Sequence, residues 1–189
     1  MTTDNNGNNH GRDGRFAGRP GQEPKDVSLP TEEPTWPVGK DLIESLIDRE
    51  DLKLVDPDRD GAQTILEHAE NHLASASKIT ESDPQGSIAM SYDAARKSMA
   101  SVLLTQGLRP AGKDTHRVTA EAIEAQLGRI SHVVRPFHRM RQDRREAEYY
   151  NKMTTYLEQD AVQTLKDATS IVESMQTFFV QVCNRPFAE

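Results

Sequence analysis

Asp83-Pro-Gln-Gly-Ser-Ile-Ala-Met-Ser-Tyr-Asp-Ala-Ala-Arg-Lys-Ser-Met-Ala-Ser-Val-Leu-Leu-Thr105 is the stretch on which the fold turns. Its residues Ile88, Tyr92, Ala95, Met99 and Leu103 recur at i, i+4, i+7, i+11 and i+15, the spacing of one inward-facing helical stripe. Pro84 stands at the first helical position, where a missing N–H costs nothing. Gly107 is a C-terminal stop, with Pro110 beyond it. The reading is a long helix with one apolar face, and such a face needs partners.

The partners are predicted on both sides. A short helix over 40–49 turns Leu42, Leu46 and Ile47 inward, and a longer one over 61–79 offers Ile65, Leu66, Ala69, Leu73 and Ala76. A fourth helix spans 117–127 and ends at Gly128. Residues 130–150 are helical in pattern but broken near Pro136, because proline disfavours helical geometry at the residue before it, Arg135. The last helix, over 157–182, buries Ala161, Leu165, Ala168, Ile171, Val172, Met175, Phe178 and Phe179. Strand patterning is absent, and short connections suit antiparallel neighbours. The expected class is all-α, an antiparallel four- to five-helix bundle over 40–189.

Residues 1–39 read differently. Five of the ten prolines and five of the eleven glycines fall before residue 38, beside Asn5, Asn6, Asn8 and Asn9. A stretch so poor in large apolar groups cannot repay its ordering entropy, so it reads as a disordered tail. Trp36, between Pro34 and Pro37, is the one side chain there able to pin the tail's end to the bundle. Apolar residues total 35 % of the chain, and the deficit is concentrated in this tail.

The net charge of −7 argues against nonspecific attraction of the whole chain to nucleic acid or anionic lipid. The single cysteine, Cys183, forms no internal disulfide, and no zinc-ligand spacing is present. No apolar run reaches the length of a membrane helix, and the N-terminus has no signal-peptide core, so a cytoplasmic location without membrane contact is expected. No cofactor is expected.

Two segments resemble the HEPN family (higher eukaryotes and prokaryotes nucleotide-binding), in a bacterial branch of it. The first is Ser91-Tyr-Asp-Ala-Ala-Arg-Lys-Ser-Met-Ala100, leading into Gly107-Leu-Arg109. The second is Arg135-Pro-Phe-His-Arg-Met-Arg141, followed by Arg144-Arg-Glu-Ala-Glu-Tyr149. With the helix over 63–79 and the closing helix, the likeness covers about residues 42–182. It implies a bundle of antiparallel helices, often a homodimer. Many such proteins are RNases, some of them toxins paired with a nucleotidyltransferase antitoxin. Their motif sets an arginine and a histidine four to six residues apart, the arginine to stabilise phosphate charge and the histidine to assist the 2′-OH.

Here the matching stretch has Arg144, but five residues on stands Tyr149. A phenol with a pKa near about 10 is a poor general base at neutral pH. It still donates a hydrogen bond or stacks on a base. The resemblance therefore implies RNA or nucleotide-phosphate binding without cleavage, in a toxin–antitoxin or defence setting. The enzymatic alternative is a divergent metal-independent endoribonuclease with Arg144 and Tyr149 or Tyr150 as its catalytic groups. A third reading is a protein-binding dimer whose arginines are structural.

Arg129, Arg135, Arg139, Arg141, Arg144 and Arg145 crowd into seventeen positions with Asp143 the one acid among them, a local reversal of sign in an acidic chain. Arg139, Arg141, Arg144 and Arg145 with Tyr149 form the expected phosphate-binding set, Tyr150 and Tyr156 adding stacking surface. The same arginines could instead pair with carboxylates, as Arg144 does with Glu148 by spacing. Arg96, one turn past Tyr92 and close to the inward stripe, needs an acidic partner.

Three other signals have plainer explanations. Arg109 and His116 meet the arginine–histidine spacing but read as a loop arginine and a helix-start histidine. Asp56, Asp58, Asp60 and Glu67 fit a calcium-loop pattern, yet Asp60 as N-cap with Gln63 explains the same letters. His68 and His72 stand four apart without a third ligand and read as a solvated helix face.

Overall fold

The computed structural model describes residues 2–3, 9–10, 38–148, 156–183 and 185–187. In chain order the elements are β1 (Thr2–Thr3), β2 (Asn9–His10), α1 (Lys40–Asp48), β3 (Leu52–Leu54), α2 (Arg59–Ala76), α3 (Pro84–Thr105), β4 (Leu108–Pro110), α4 (Thr115–Leu127), a 3-10 segment (Gly128–Val133), α5 (Arg135–Glu148) and α6 (Glu158–Val182). The chain divides into two units, Met1–Thr35 and Trp36–Glu189. In the first, β1 and β2 pair antiparallel, Thr2 opposite His10. The tail reading and the Trp36 anchor otherwise lie outside the described residues.

The second unit is the all-α antiparallel bundle that the periodicity predicts, and α3 is its axis. Ile88, Tyr92, Ala95, Met99 and Leu103 are all buried, and α3 packs most extensively against α2 and α6. Leu66 of α2, and Ala168, Ile171, Met175 and Phe179 of α6, share one core cluster with that face, while Ala69 of α2 packs with Ala94 and Val172 in a second. Helix starts follow side-chain chemistry. Asp83 accepts a hydrogen bond from Gly86 N at 2.9 Å, with Pro84 just inside the helix. Asp58 caps α2 in the same way through Gly61 N at 2.8 Å, and Asp114 caps α4 through Arg117 N at 3.4 Å.

Several details depart from the sequence reading. The cap of α2 is Asp58, not Asp60, so the helix begins two residues earlier than expected. On α1 the buried pair is Ile43 and Leu46, while Leu42 is exposed. Two pairs of short strands are present where none was expected. In the second unit β3 pairs antiparallel with β4, Leu52 opposite Pro110 and Leu54 opposite Leu108. Strands of three residues are too short for a period-2 pattern to register. The pairing still buries Leu52 and Leu108. Gly107 makes the corner between α3 and β4 with φ +74°, and a Cβ there would lie 2.6 Å from the Val55 carbonyl oxygen.

The break in the second half falls ahead of Pro136 rather than at it. Gly128–Val133 is 3-10, and α5 then starts at Arg135 with Pro136 in its first turn, where no N–H is needed. In α5 Phe137 and Met140 are fully buried, and the flanking Val134 is too. Polar contacts with three carboxylates do the rest. His138 Nε2 meets Glu124 at 2.9 Å, Arg139 meets Asp167 at 2.6 Å and Arg141 meets Asp114 at 3.0 Å. A strongly basic helix is thereby held against α4 and α6 in one orientation. Among the described residues, no helix is long and apolar enough to cross a membrane.

Candidate phosphate-binding site

Tyr92 is the centre of the site. It lies on the buried face of α3, fully enclosed, with its ring stacked on Phe137 of α5 at 4.9 Å and an interplanar angle of 9°. Two turns along α5 from Phe137, the Arg144 guanidinium carbon stands 5.1 Å from the centroid of the same ring. The ring's π face and the guanidinium attract, which fixes a long and otherwise mobile side chain. α5 thus grips one tyrosine with an aromatic and a cation.

The Tyr92 hydroxyl meets Nδ1 of His116, in the first turn of α4, at 2.7 Å. Burial pushes the phenol up to about 12, against the opposing pull of Arg144, Arg96 and Arg141, so it stays protonated. Its proton has no other acceptor among the described residues, and Tyr92 therefore donates to Nδ1. The imidazole's own proton then sits on Nε2, assigned from the network. Burial first, then Arg96 and Arg144, hold His116 below the ordinary histidine range. The result is a neutral imidazole with its proton assigned to Nε2, in the field of Arg96 and Arg144.

Asp93 collects the next set of charges. Arg96 reaches its Oδ1, and Lys97 reaches Oδ2 at 3.0 Å. Burial raises its pKa, but hydrogen bonds from Arg96 and Lys97 together outweigh that and keep the carboxylate below its usual range. His72 of α2 brings Nδ1 to 3.2 Å from the same Oδ2, while its Nε2 accepts from Lys97 Nζ at 3.3 Å. His72 is therefore no solvated-face residue; it sits half-buried between α2 and α3.

A cavity of about 470 Å³ opens beside this cluster, with Asp93, Arg144, His72 and Tyr156 on its wall. Tyr156 donates its hydroxyl to the Asp143 carbonyl at 2.7 Å, which pins it alongside α5.

The predicted site residues separate. Arg144 lies at the cavity and over Tyr92. Arg139 and Arg141 hold Asp167 and Asp114, as the structural reading of those arginines has it. Arg145 is on α5, its side chain outside the described residues, where Tyr149 and Tyr150 also lie. Arg109 sits in β4 opposite Lys53 rather than beside His116. In the calcium-loop look-alike, Asp58 serves as a helix cap and Glu67 accepts from Gln63 at 3.2 Å. No group of three or more metal-ligating side chains converges among the described residues.

The reading of the sequence put His116 at a helix start, where it lies, but missed its pairing with Tyr92. A usable signal was present: His116, Thr119, Ala120, Ile123 and Leu127 share one helical face, and the last four are buried. An imidazole in phase with a buried stripe, facing a buried phenol on α3, is a natural pair.

An all-α antiparallel bundle built around one long buried helix defines the class of fold. The HEPN domain family model matches residues 62–179, more than half of the chain, and the protein belongs to that family. HEPN domains are helical modules typically concerned with nucleotides or RNA, and they commonly dimerise. No curated protein and no solved structure matched the chain.

Proposed function

We propose that this HEPN module binds RNA or a nucleotide through phosphate, with Arg144 as the principal cation, and does not cleave it. The observation that carries the reading is Arg144 held over the Tyr92 ring while it lines the cavity. Preset donors cost less ordering entropy on binding, and guanidinium planes suit phosphate oxygens. Arg145, Arg139 and Arg141 are assigned to the same set from the sequence, the last two while paired with Asp167 and Asp114. The module acts as a cytoplasmic homodimer in a toxin–antitoxin or defence setting, with a nucleotidyltransferase as partner.

The assigned tautomer supports binding without cleavage. A general base at Nε2 would need that nitrogen free of its proton, whereas donation from Tyr92 keeps the proton there. The alternative, a metal-independent endoribonuclease, gains its support from the same pair: if the phenol and imidazole exchange roles, His116 becomes the imidazole that the Tyr149 position lacks.

Binding of labelled single-stranded RNA, measured across a salt series without metal, tests the proposal. Affinity should fall steeply with salt, and Arg144→Ala should weaken it about tenfold and flatten the slope by about one ion. Intact RNA after long incubation is expected. Scission that Arg144→Ala or His116→Ala abolishes would replace this reading with the enzymatic one. No affinity at low salt would leave the arginines as structural, in a protein-binding dimer.

A further inference from the structure

The phosphate reading leaves the cavity itself unexplained. At about 470 Å³ it falls in the range of small-molecule sites and is far roomier than one phosphate group requires. Its wall carries two kinds of chemistry. Ile88, Ala89 and Met90 of α3, with the Tyr156 ring, supply apolar and aromatic surface. Gln85 and Arg144 stand with them as polar groups. A site built for phosphate alone has no use for the first kind.

We propose that this cavity receives one unpaired nucleobase, whose attached phosphate rests on Arg144; the inference rests on the phosphate reading above. The ligand class is a nucleoside 5′-monophosphate unit, either free or as a single unpaired residue of an RNA strand. A base is flat, apolar on its faces and polar at its edge, which matches a cavity whose wall carries Met90, the Tyr156 ring and the Gln85 amide as both donor and acceptor. The hydrogen bond from Tyr156 to the Asp143 carbonyl, at 2.7 Å, holds the ring at the α5 side of the slot.

Asp93 does not oppose an anion there. Arg96 covers Oδ1 and Lys97 covers Oδ2 at 3.0 Å, so each oxygen of the carboxylate is held by a cation. The same saturation leaves Asp93 little capacity to read base donors, and a single amide discriminates poorly among bases. The site therefore tolerates different bases. A paired base is stacked and edge-bonded inside its helix, and one base cannot enter a slot of this size without leaving the duplex.

Calorimetry with the full-length chain separates this inference from the one beneath it. The probes are adenosine 5′-monophosphate, ribose 5-phosphate, a single-stranded adenine hexamer and the corresponding duplex. The nucleotide should bind about tenfold more tightly than ribose 5-phosphate, the margin of one stacked base. Ala89→Trp, at an exposed position, fills the slot and should erase that margin while leaving ribose 5-phosphate affinity intact. Tyr156→Ala should do the same, and Tyr156→Phe should preserve most of the margin, which keeps the test decisive if the tryptophan variant misfolds.

Competition between the hexamer and the mononucleotide, with the duplex weaker than both, would support entry of an unpaired residue from a strand. Nucleotide binding with no hexamer competition would assign the slot to the free nucleotide. Equal affinity for nucleotide and ribose 5-phosphate, or a margin untouched by both cavity variants, overturns the base slot and leaves the phosphate reading standing. No binding by any of the four probes overturns the phosphate reading, and the slot with it.

Discussion

Replacing Tyr92 with phenylalanine perturbs the centre of the site by one atom. Phenylalanine keeps the buried volume, the stacking on Phe137 at 4.9 Å and the π face beneath Arg144. What is lost is the hydroxyl and its 2.7 Å hydrogen bond to His116 Nδ1. A buried hydrogen bond contributes about 0.5–1.5 kcal/mol net, and an orphaned buried acceptor costs about 1–3 kcal/mol. His116 is only partly buried, so water reaches some of the ring and the lower end applies. Tyr92→Phe should therefore destabilise the bundle by about 1–2 kcal/mol near pH 8.

The pH dependence carries its own sign. Folding holds His116 below its ordinary value, by burial first and then by Arg96 and Arg144. The fold thus favours the neutral ring, and the stabilisation is complete above the unfolded value of about 6.5 and is lost as pH falls below it. Once protonated, Nδ1 no longer accepts from Tyr92, so the gap between wild type and Tyr92→Phe should narrow near pH 5. Urea denaturation at both pH values, with NMR titration of the His116 ring, measures each part. The imidazole titration should move upward in the variant, since the donor that favours its neutral form is gone. A gap under about 0.5 kcal/mol near pH 8 with an unmoved titration would refute the pairing.

Three further outcomes follow from particular contacts. Phe137→Ala removes the fully buried ring that anchors α5 on Tyr92, and chemical denaturation should show a loss of about 3–5 kcal/mol; a loss below about 1 would deny that anchor. Gly107→Ala forces a side chain into positive φ and against the Val55 carbonyl, so the thermal midpoint should fall with a cost of at least about 1–2 kcal/mol, and an unchanged midpoint would contradict the corner's geometry. Asp114→Asn weakens the hold on Arg141 and Arg117 while leaving a capping oxygen; RNA affinity at low salt should rise as a carboxylate leaves the site, and a fall would show that Arg141 needs Asp114 for its placement.

Periodicity, caps and stops were local signals, and they alone determined the helices. Ile88 to Leu103 repeat at helical spacing whatever surrounds them, Asp83 and Pro84 start that helix and Gly107 ends it, so the bundle was legible without coordinates. The resemblance likewise reached the family, because its marks lie in the order of residues along the chain. Arg144 was legible as one cation of a basic segment.

What tertiary structure decided was which cations keep which partners. Arg139, Arg141 and Arg144 look alike in the sequence, yet Asp167 and Asp114 hold the first two, while Tyr92 lies under the third. Those partners are 28, 27 and 52 residues away respectively, the last read from 144 − 92, and no spacing rule spans such separations. His116 is the same case, since its role arises only when α4 packs against α3 and sets its ring by a buried phenol. Helix formation is governed within a few residues, but charge pairing and tautomer depend on through-space distance, and only packing sets that.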